Sequence, residues 1–297
     1  MRRGLAILTG TTASGKTSTA LEWARQTGGW ILSCDALLFY RSADIGTAKP
    51  TVAEREEIPH FGIDLCNPSE VFDLPRYIRY ALDVLERAEE EDKPVLAVGG
   101  SGFYLASFQL APPDPIHVPE EIRLRVHEVE ETRGTLGLQE LLKSIDPDPD
   151  IDVQNPRRLV PAIERCLTTG MTTRELRKRH QSLPCPFERW TRNWYQVNCP
   201  QDELSMRIQK RTEQMLENGL VDEVKQLLKR GILDNPTLCS AIGYRETLAH
   251  IEHPTSNETL IGEIAQHTEQ LASRQRRWIR NRLPHAQEVQ SAEDLLV

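Results

Sequence analysis

Eight residues constrain this chain more than any other segment. Gly10-Thr11-Thr12-Ala13-Ser14-Gly15-Lys16-Thr17 fit GxxxxGK[ST], with a short apolar run before them and an amphipathic stretch after them. Such a loop, entered from a strand and left by a helix, turns its amides toward one point. The glycines permit the tight path, Lys16 adds a cation, and the helix start adds partial positive charge. The product is a cradle for phosphate, and Thr17 stands where its hydroxyl can reach a Mg2+ ion. The loop alone does not say whether the phosphates belong to a nucleotide such as ATP.

The rest of the chain supplies the sheet that this loop requires. Residues 5–9, 30–34, 62–66, 95–98 and 194–197 are short, continuous apolar runs. They are too continuous for half-exposed strands and too short for helices, so they predict buried parallel strands. Helical patterns fall between them at residues 17–26 and 76–91. This alternation predicts an α/β, P-loop NTPase-like, doubly wound parallel sheet. After Gln109 the alternation stops, and Pro112, Pro113, Pro115 and Pro119 form a connector. The expected organisation is an α/β core over residues 1–110, a helical insertion over 111–190 with a helix near 156–168, and completion of the core with C-terminal helices over 191–297. An acidic, turn-rich break, Asp146-Pro147-Asp148-Pro149-Asp150, divides the insertion.

Two further segments belong at the carboxyl edge of that sheet. Hydrolases with this loop usually end a strand in an acid that helps hold magnesium. Here residues 95–98 run instead into Gly99-Gly100-Ser101-Gly102-Phe103-Tyr104, without a carboxylate. Glycines let the backbone approach a ligand and Ser101 can donate a hydrogen bond, which suits binding a substrate more than splitting water. Asp35 ends the second strand and should face the crevice beside the loop. There it could take a proton, help hold the metal, or simply cap the next helix.

In order along the chain, these residues resemble the tRNA dimethylallyltransferase (tRNA isopentenyltransferase) family. The resemblance rests on the loop at Gly10 to Thr17 and on Asp35 followed by Tyr40-Arg41 and Asp44-Ile45-Gly46-Thr47-Ala48-Lys49-Pro50. It continues through Gly99 to Tyr104, Arg211, Met215, Gly219-Leu220-Val221-Asp222-Glu223-Val224, Ala241-Ile242-Gly243-Tyr244-Arg245-Glu246 and Arg274-Gln275. It implies transfer of a dimethylallyl group from dimethylallyl diphosphate to the exocyclic amine of adenosine at tRNA position 37, beside the anticodon. In that chemistry the loop clamps a pyrophosphate leaving group with Mg2+ alongside and no water is activated, which accounts for the strand without an acid. By resemblance Asp35 is the candidate base, Ser101 sits near the reacting centre, and Arg211 assists at the pyrophosphate. Arg211 and Arg207 lie one turn apart, and a solvated helix face is the plainer reading of both. The same resemblance assigns tRNA contacts to Asp35, Ala36, Leu37, Leu38, Ser101, Arg123, Arg157, Arg158, Leu159, Val160 and Pro161, making the insertion a tRNA clamp. Four positions, in three places, depart from the family pattern. Ala36 and Leu38 replace a Ser and a Gln, Pro161 replaces an Arg, and Ser101 replaces a Thr while keeping the hydroxyl.

Charge and composition bound the partners. With 36 Lys+Arg against 44 Asp+Glu the formal charge is −8, which argues against diffuse binding of nucleic acid over the whole surface. Local sums differ. Residues 171–196 hold six cations against Glu175 and Glu188, giving 6 − 2 = +4. Residues 264–285 hold Arg274, Arg276, Arg277, Arg280 and Arg282 against Glu269, giving 5 − 1 = +4. Six scattered cysteines show no zinc spacing, and no run approaches the length needed to cross a bilayer. The expectation is a cytoplasmic monomer. Two alternatives stay open, a prenyltransferase for free adenine nucleotides and an RNA-binding paralogue with weakened catalysis.

Overall fold

A computed structural model describes residues 4–112, 116–283 and 285–295; the expected connector prolines Pro113 and Pro115 lie outside them. Two compact units are present, Leu110–Cys185 and the remainder of the chain.

In the larger unit, six parallel strands among the described residues form one sheet, ordered β3-β2-β4-β1-β5-β6. They are β1 (Gly4–Gly10), β2 (Trp30–Ser33), β3 (His60–Phe61), β4 (Val95–Gly99), β5 (Thr191–Val197) and β6 (Gln287–Val289). Helix α1 (Lys16–Thr27) packs over β1, β2 and β4, where Ala20, Leu21, Trp23 and Ala24 bury against Leu8, Ile31 and Leu96. Continuous apolar strands need such cover on both faces, and α3 (Leu74–Glu90), which follows α2 (Val52–Glu57), lies against β2. Asp73 caps α3 by accepting from the Arg76 amide. The short α4 (Gly102–Ala106) follows β4.

Register decides what meets at the carboxyl edge. Thr9 pairs with Gly99 and Ser33 with Val98, so the loops after β1, β2 and β4 leave the sheet side by side. Beneath them Phe39, Phe72, Tyr77 and Tyr104 form a buried aromatic cluster, and the Tyr77 hydroxyl donates to Cys34 Sγ at 3.0 Å.

Two strand expectations need correction. Residues 62–66 form no strand, because β3 stops at Phe61 and the chain turns through Gly62 (φ 76°) and Asp64 (φ 55°). Asp64 turns in to receive Lys49 at 2.8 Å and Arg55 at 2.6 Å, which sets the loop, and only Cys66 bridges back to Tyr40. β6 was not expected, since three residues at the end of a long helical stretch carry no readable period.

The smaller unit contains α5 (Glu120–Ile145), α6 (Pro156–Thr169) and α7 (Thr173–Ser182), around Val126, Leu138, Leu142, Leu159, Ile163 and Cys166. α5 breaks at Gly134 (φ 59°, ψ −154°). The acidic break has a clear task. Buried Asp146 accepts from both the amide and the hydroxyl of Thr173, at 2.8 and 2.6 Å, and so pins the start of α7. Burial opposes ionisation of Asp146, but these bonds outweigh it and hold its carboxyl below the ordinary range. Arg174 pairs with Asp148 at 2.7 Å and Arg177 with Asp150 at 2.5 Å.

After β5 the larger unit continues through α8 (Gln201–Glu217), α9 (Leu220–Leu228), α10 (Pro236–Cys239), α11 (Tyr244–Glu252) and α12 (Asn257–Arg282). α12 packs along α8 and against β1. On α9, Glu223 ties three distant motifs together. Its carboxylate accepts from the amides of Asp44, Ile45 and Gly46 at 2.9, 2.7 and 3.0 Å and from the Tyr244 hydroxyl at 2.8 Å. Truncating it leaves four donors without their acceptor. Because the site is half-buried, Glu223→Ala should cost about 2–3 kcal/mol, read by urea unfolding, and Glu223→Gln clearly less.

Candidate active site

The phosphate loop is built as a nest. Ala13 (φ 58°) and Gly15 (φ 104°) take left-handed backbone, a conformation that costs an L-residue about 1 kcal/mol or more and is tolerated where it aims amides inward. The first amides of α1 have no intrahelical acceptor and point the same way. Lys16 Nζ donates to the Thr11 carbonyl at 2.6 Å, folding over the loop. From α8, Arg207 donates to the Ser14 carbonyl at 3.1 Å while pairing with Glu203, so it braces the loop rather than facing solvent alone. From α12, Gln275 accepts from the Thr12 amide at 2.7 Å and donates to the Gly100 carbonyl at 3.0 Å.

Several groups are left without partners in ways that suit an anion. Ser14 Oγ is buried within the loop with no hydrogen bond. Arg211, half-buried, makes no side-chain hydrogen bond or ion pair among the described residues; burial lowers its pKa and the Asp35 charge pulls the other way. Lys16 behaves alike. Desolvation lowers it from 10.5 to about 8, against the attraction of Asp35 and with the repulsion of Arg211. Lys16, Arg211 and Asp35 therefore share one field, two cations with a single carboxylate.

Asp35 is half-buried and accepts from the Leu37 amide at 3.1 Å through Oδ1. That bond closes a local turn and leaves Oδ2 open to a ligand; Asp35 caps no helix. Ser101 Oγ accepts from the Ala36 amide at 3.4 Å, so its own proton remains available to donate. Ala36, Leu37 and Leu38 are partly exposed, and Thr17 is exposed at the start of α1. The loop residues Gly10 to Thr17, with Asp35, Ser101 and Arg211, thus belong to one edge of the larger unit.

The other expected contacts lie in the smaller unit. Arg123, Arg157, Arg158 and Pro161 are exposed and Val160 is partly so. Leu159 is wholly buried in that unit's core, so its side chain cannot serve a surface ligand as the resemblance suggested. Pro161 lies inside α6, where it removes the amide that would reach the Arg157 carbonyl. The positive sum over 171–196 is also largely spent within the protein. Besides Arg174 and Arg177, Arg189 pairs with Glu86 and Glu89. On α12, by contrast, Arg274, Arg277, Arg280 and Arg282 are exposed and make no ion pair among the described residues. Sequence reasoning gave Gln275 and Arg207 no role at the loop; each lies more than 190 positions from its loop partner, and only α12 and α8 bring them there.

For Mg2+, the described residues offer no cluster of three or more His, Cys, Asp or Glu side chains. The exposed Thr17 hydroxyl at the start of α1 does fit an ion carried mainly by ligand phosphates, which is how Mg2+ is commonly held.

A P-loop backed by two partly desolvated cations, facing a carboxylate and lacking an acid at the end of β4, defines a class of transferase that handles a phosphorylated donor. The profile described as IPP transferase matches residues 38–282, and this chain belongs to that family. It is 39% identical to the tRNA dimethylallyltransferase of Opitutus terrae over 97% of this chain and 93% of that protein, and 33% identical to that of Thermomicrobium roseum over 94% and 84%. Its fold matches the tRNA isopentenylpyrophosphate transferase of Bacillus halodurans at a TM-score of 0.69, with 30% identity over 97% of this chain and 89% of that one. It matches the fold of a eukaryotic dimethylallyltransferase acting on tRNA at 0.79, with 23% identity over 93% and 70%.

The Lys16 shift predicts a pH effect. The free loop favours neutral Lys16 above about pH 8, whereas a bound anion favours the ammonium. Binding should then take up a proton, and affinity for pyrophosphate should fall as pH rises past about 8. In the free protein the same shift makes stability rise between about pH 8 and 10.5, where the unfolded chain holds the proton and the folded one does not. Calorimetry in buffers of different ionisation enthalpy should show more proton uptake for the native protein than for Lys16→Met.

Proposed function

We propose that this chain transfers a dimethylallyl group from dimethylallyl diphosphate to the exocyclic amine of adenosine 37 in tRNA, releasing pyrophosphate, and works as a monomer in the cytoplasm. Among its described residues no helix is long and apolar enough to cross a membrane. The observation that carries the reading is the placing of Asp35 within the field of Lys16 and Arg211 at the mouth of the loop.

The donor diphosphate lies in the nest of loop amides, with Lys16 and Arg211 completing the clamp. As the bond between the allylic carbon and the bridging oxygen breaks, its electron pair passes to the diphosphate, and these fixed donors stabilise the charge where it develops. They are already partly desolvated, so the loop need not reorganise around the leaving group. Thr17 and the donor's own phosphates would hold a Mg2+ ion, which would supply further charge neutralisation at those oxygens. The adenine amine forms the new carbon–nitrogen bond and gives its proton to Asp35 Oδ2. Ser101, whose hydroxyl oxygen accepts from the Ala36 amide, keeps its own proton to donate to the reacting base. An arylamine is a weak nucleophile, and assistance from a positioned carboxylate is worth about 10²–10⁴-fold.

Reaching an adenine in a stacked loop requires extruding it, at a cost of a few kcal/mol that phosphate contacts must offset. The exposed arginines of α12 and, in the smaller unit, Arg123, Arg157 and Arg158 supply cations for those contacts. With Ala36 and Leu38 in place of polar side chains, the base edge is read mainly through Asp35 and Ser101.

The test incubates the protein with Mg2+, dimethylallyl diphosphate and either unmodified tRNA or AMP, followed by digestion and mass spectrometry. Prenylated adenosine should appear from tRNA and not from AMP. Product from AMP would assign a free-nucleotide enzyme, and tRNA binding without product would assign an RNA-binding paralogue. Asp35→Asn should keep tRNA affinity within about threefold while losing at least 10²-fold in kcat; unchanged turnover would remove Asp35 as the base.

A further inference from the structure

We infer that Gln275 is a positioning residue that fixes the separation between the two halves of the site. Its side-chain amide bonds to both the phosphate loop and the Gly-rich turn after β4. Oε1 accepts from Thr12 N–H and Nε2 donates to the Gly100 carbonyl, an orientation in which both ends are satisfied and the reverse leaves two clashes. From Gly100 the chain runs directly to Ser101, whose hydroxyl holds the Ala36 amide beside Asp35. A continuous line of bonds therefore joins the clamp for the leaving group to the proton acceptor, with Gln275 as its side-chain link from α12.

The surroundings are shaped to that link. A Cβ on Gly100 would stand 2.7 Å from Gln275 Nε2, and one on Gly102 would stand 2.6 Å from the Trp278 indole, one helical turn further along α12. Gln275 and Trp278 thus seat α12 on two glycines of the turn: a side chain at Gly100 would displace the Gln275 amide from its bonds, and one at Gly102 would displace the indole. The bond also commits the Thr12 amide to the frame, leaving phosphate to the amides that follow and to Lys16. The same helix carries Arg274, Arg276 and Arg277 on either side of Gln275. A polynucleotide bound at the exposed Arg274 is one peptide unit from a residue that holds the phosphate loop.

The inference rests on the prenyl-transfer reading for its kinetic consequence, while amide exchange tests the bridge without any turnover. Gln275→Leu keeps the volume and removes both bonds. Its kcat should fall between about tenfold and 10²-fold, the scale expected of a misplaced reacting group, with KM for dimethylallyl diphosphate and for tRNA within about threefold. Hydrogen exchange should speed up in peptides covering residues 10–16 and 99–104, with α8 unaffected. Gln275→Glu carries the test if the leucine variant does not fold. Ionised, it still accepts from Thr12 but opposes the Gly100 carbonyl; protonated, it can donate again, so its kcat relative to the native protein should rise as pH is lowered from 8 to 6. Native kcat with unchanged exchange in either variant overturns the inference, as does a loss confined to KM for tRNA, which would place Gln275 in the nucleic-acid surface instead. If the native protein forms no product, the prenyl-transfer reading fails by itself, and the exchange result decides the bridge.

Discussion

The parallel insertion of β4 between β1 and β2 is the constraint on which the site depends. It sets Thr9 level with Gly99 and Ser33 level with Val98, so three loops remote in sequence emerge at one height. Were β4 shifted by a single residue, every side chain on it would change face and the Gly-rich turn would miss the phosphate loop. The sheet does not contribute chemistry, but it determines which groups are neighbours.

Around that edge the charges are held at a cost to the free protein. Lys16 and Arg211 repel each other, both lose hydration, and Asp35 compensates only in part. A surface pair of this kind would contribute little. Here the imbalance favours an incoming anion, because a diphosphate relieves the repulsion that the folded chain carries without it. Arg207 and Gln275 hold the loop from outside, so the strained backbone at Ala13 is retained by two separate helices.

The sheet, the phosphate loop, Asp35 and Ser101 were legible in the sequence because each is encoded locally, by an apolar run, a glycine spacing or a residue at a strand end. The errors have equally local causes. Residues 62–66 are apolar enough for a strand, but Gly62 and the ionic demand of Lys49 and Arg55 on Asp64 turn the chain away. The positive sum over 171–196 overstated a binding face, since a linear sum cannot see that Asp148, Asp150, Glu86 and Glu89 fold back onto those arginines. Leu159 was assigned by its place in a motif, whereas its side chain belongs to a core. Gln275 was visible as a letter in the last helix, yet its partners are set entirely by tertiary packing.

The Glu223 cluster gives the most diagnostic letters of this sequence an unexpected meaning. The segment 44–50, the residues 219–224 and the hexapeptide 241–246 are bound to one another through Glu223 and Tyr244, and Lys49 closes the first of them on Asp44, Asp64 and the Tyr40 carbonyl. These motifs certify a scaffold. A descendant of this chain could lose the carboxylate at Asp35 and keep all three unaltered, because folding alone would preserve them. Among such sequences, membership of the family is read from the cluster, and on the proposed mechanism capacity for chemistry is read from Lys16, Asp35 and Arg211.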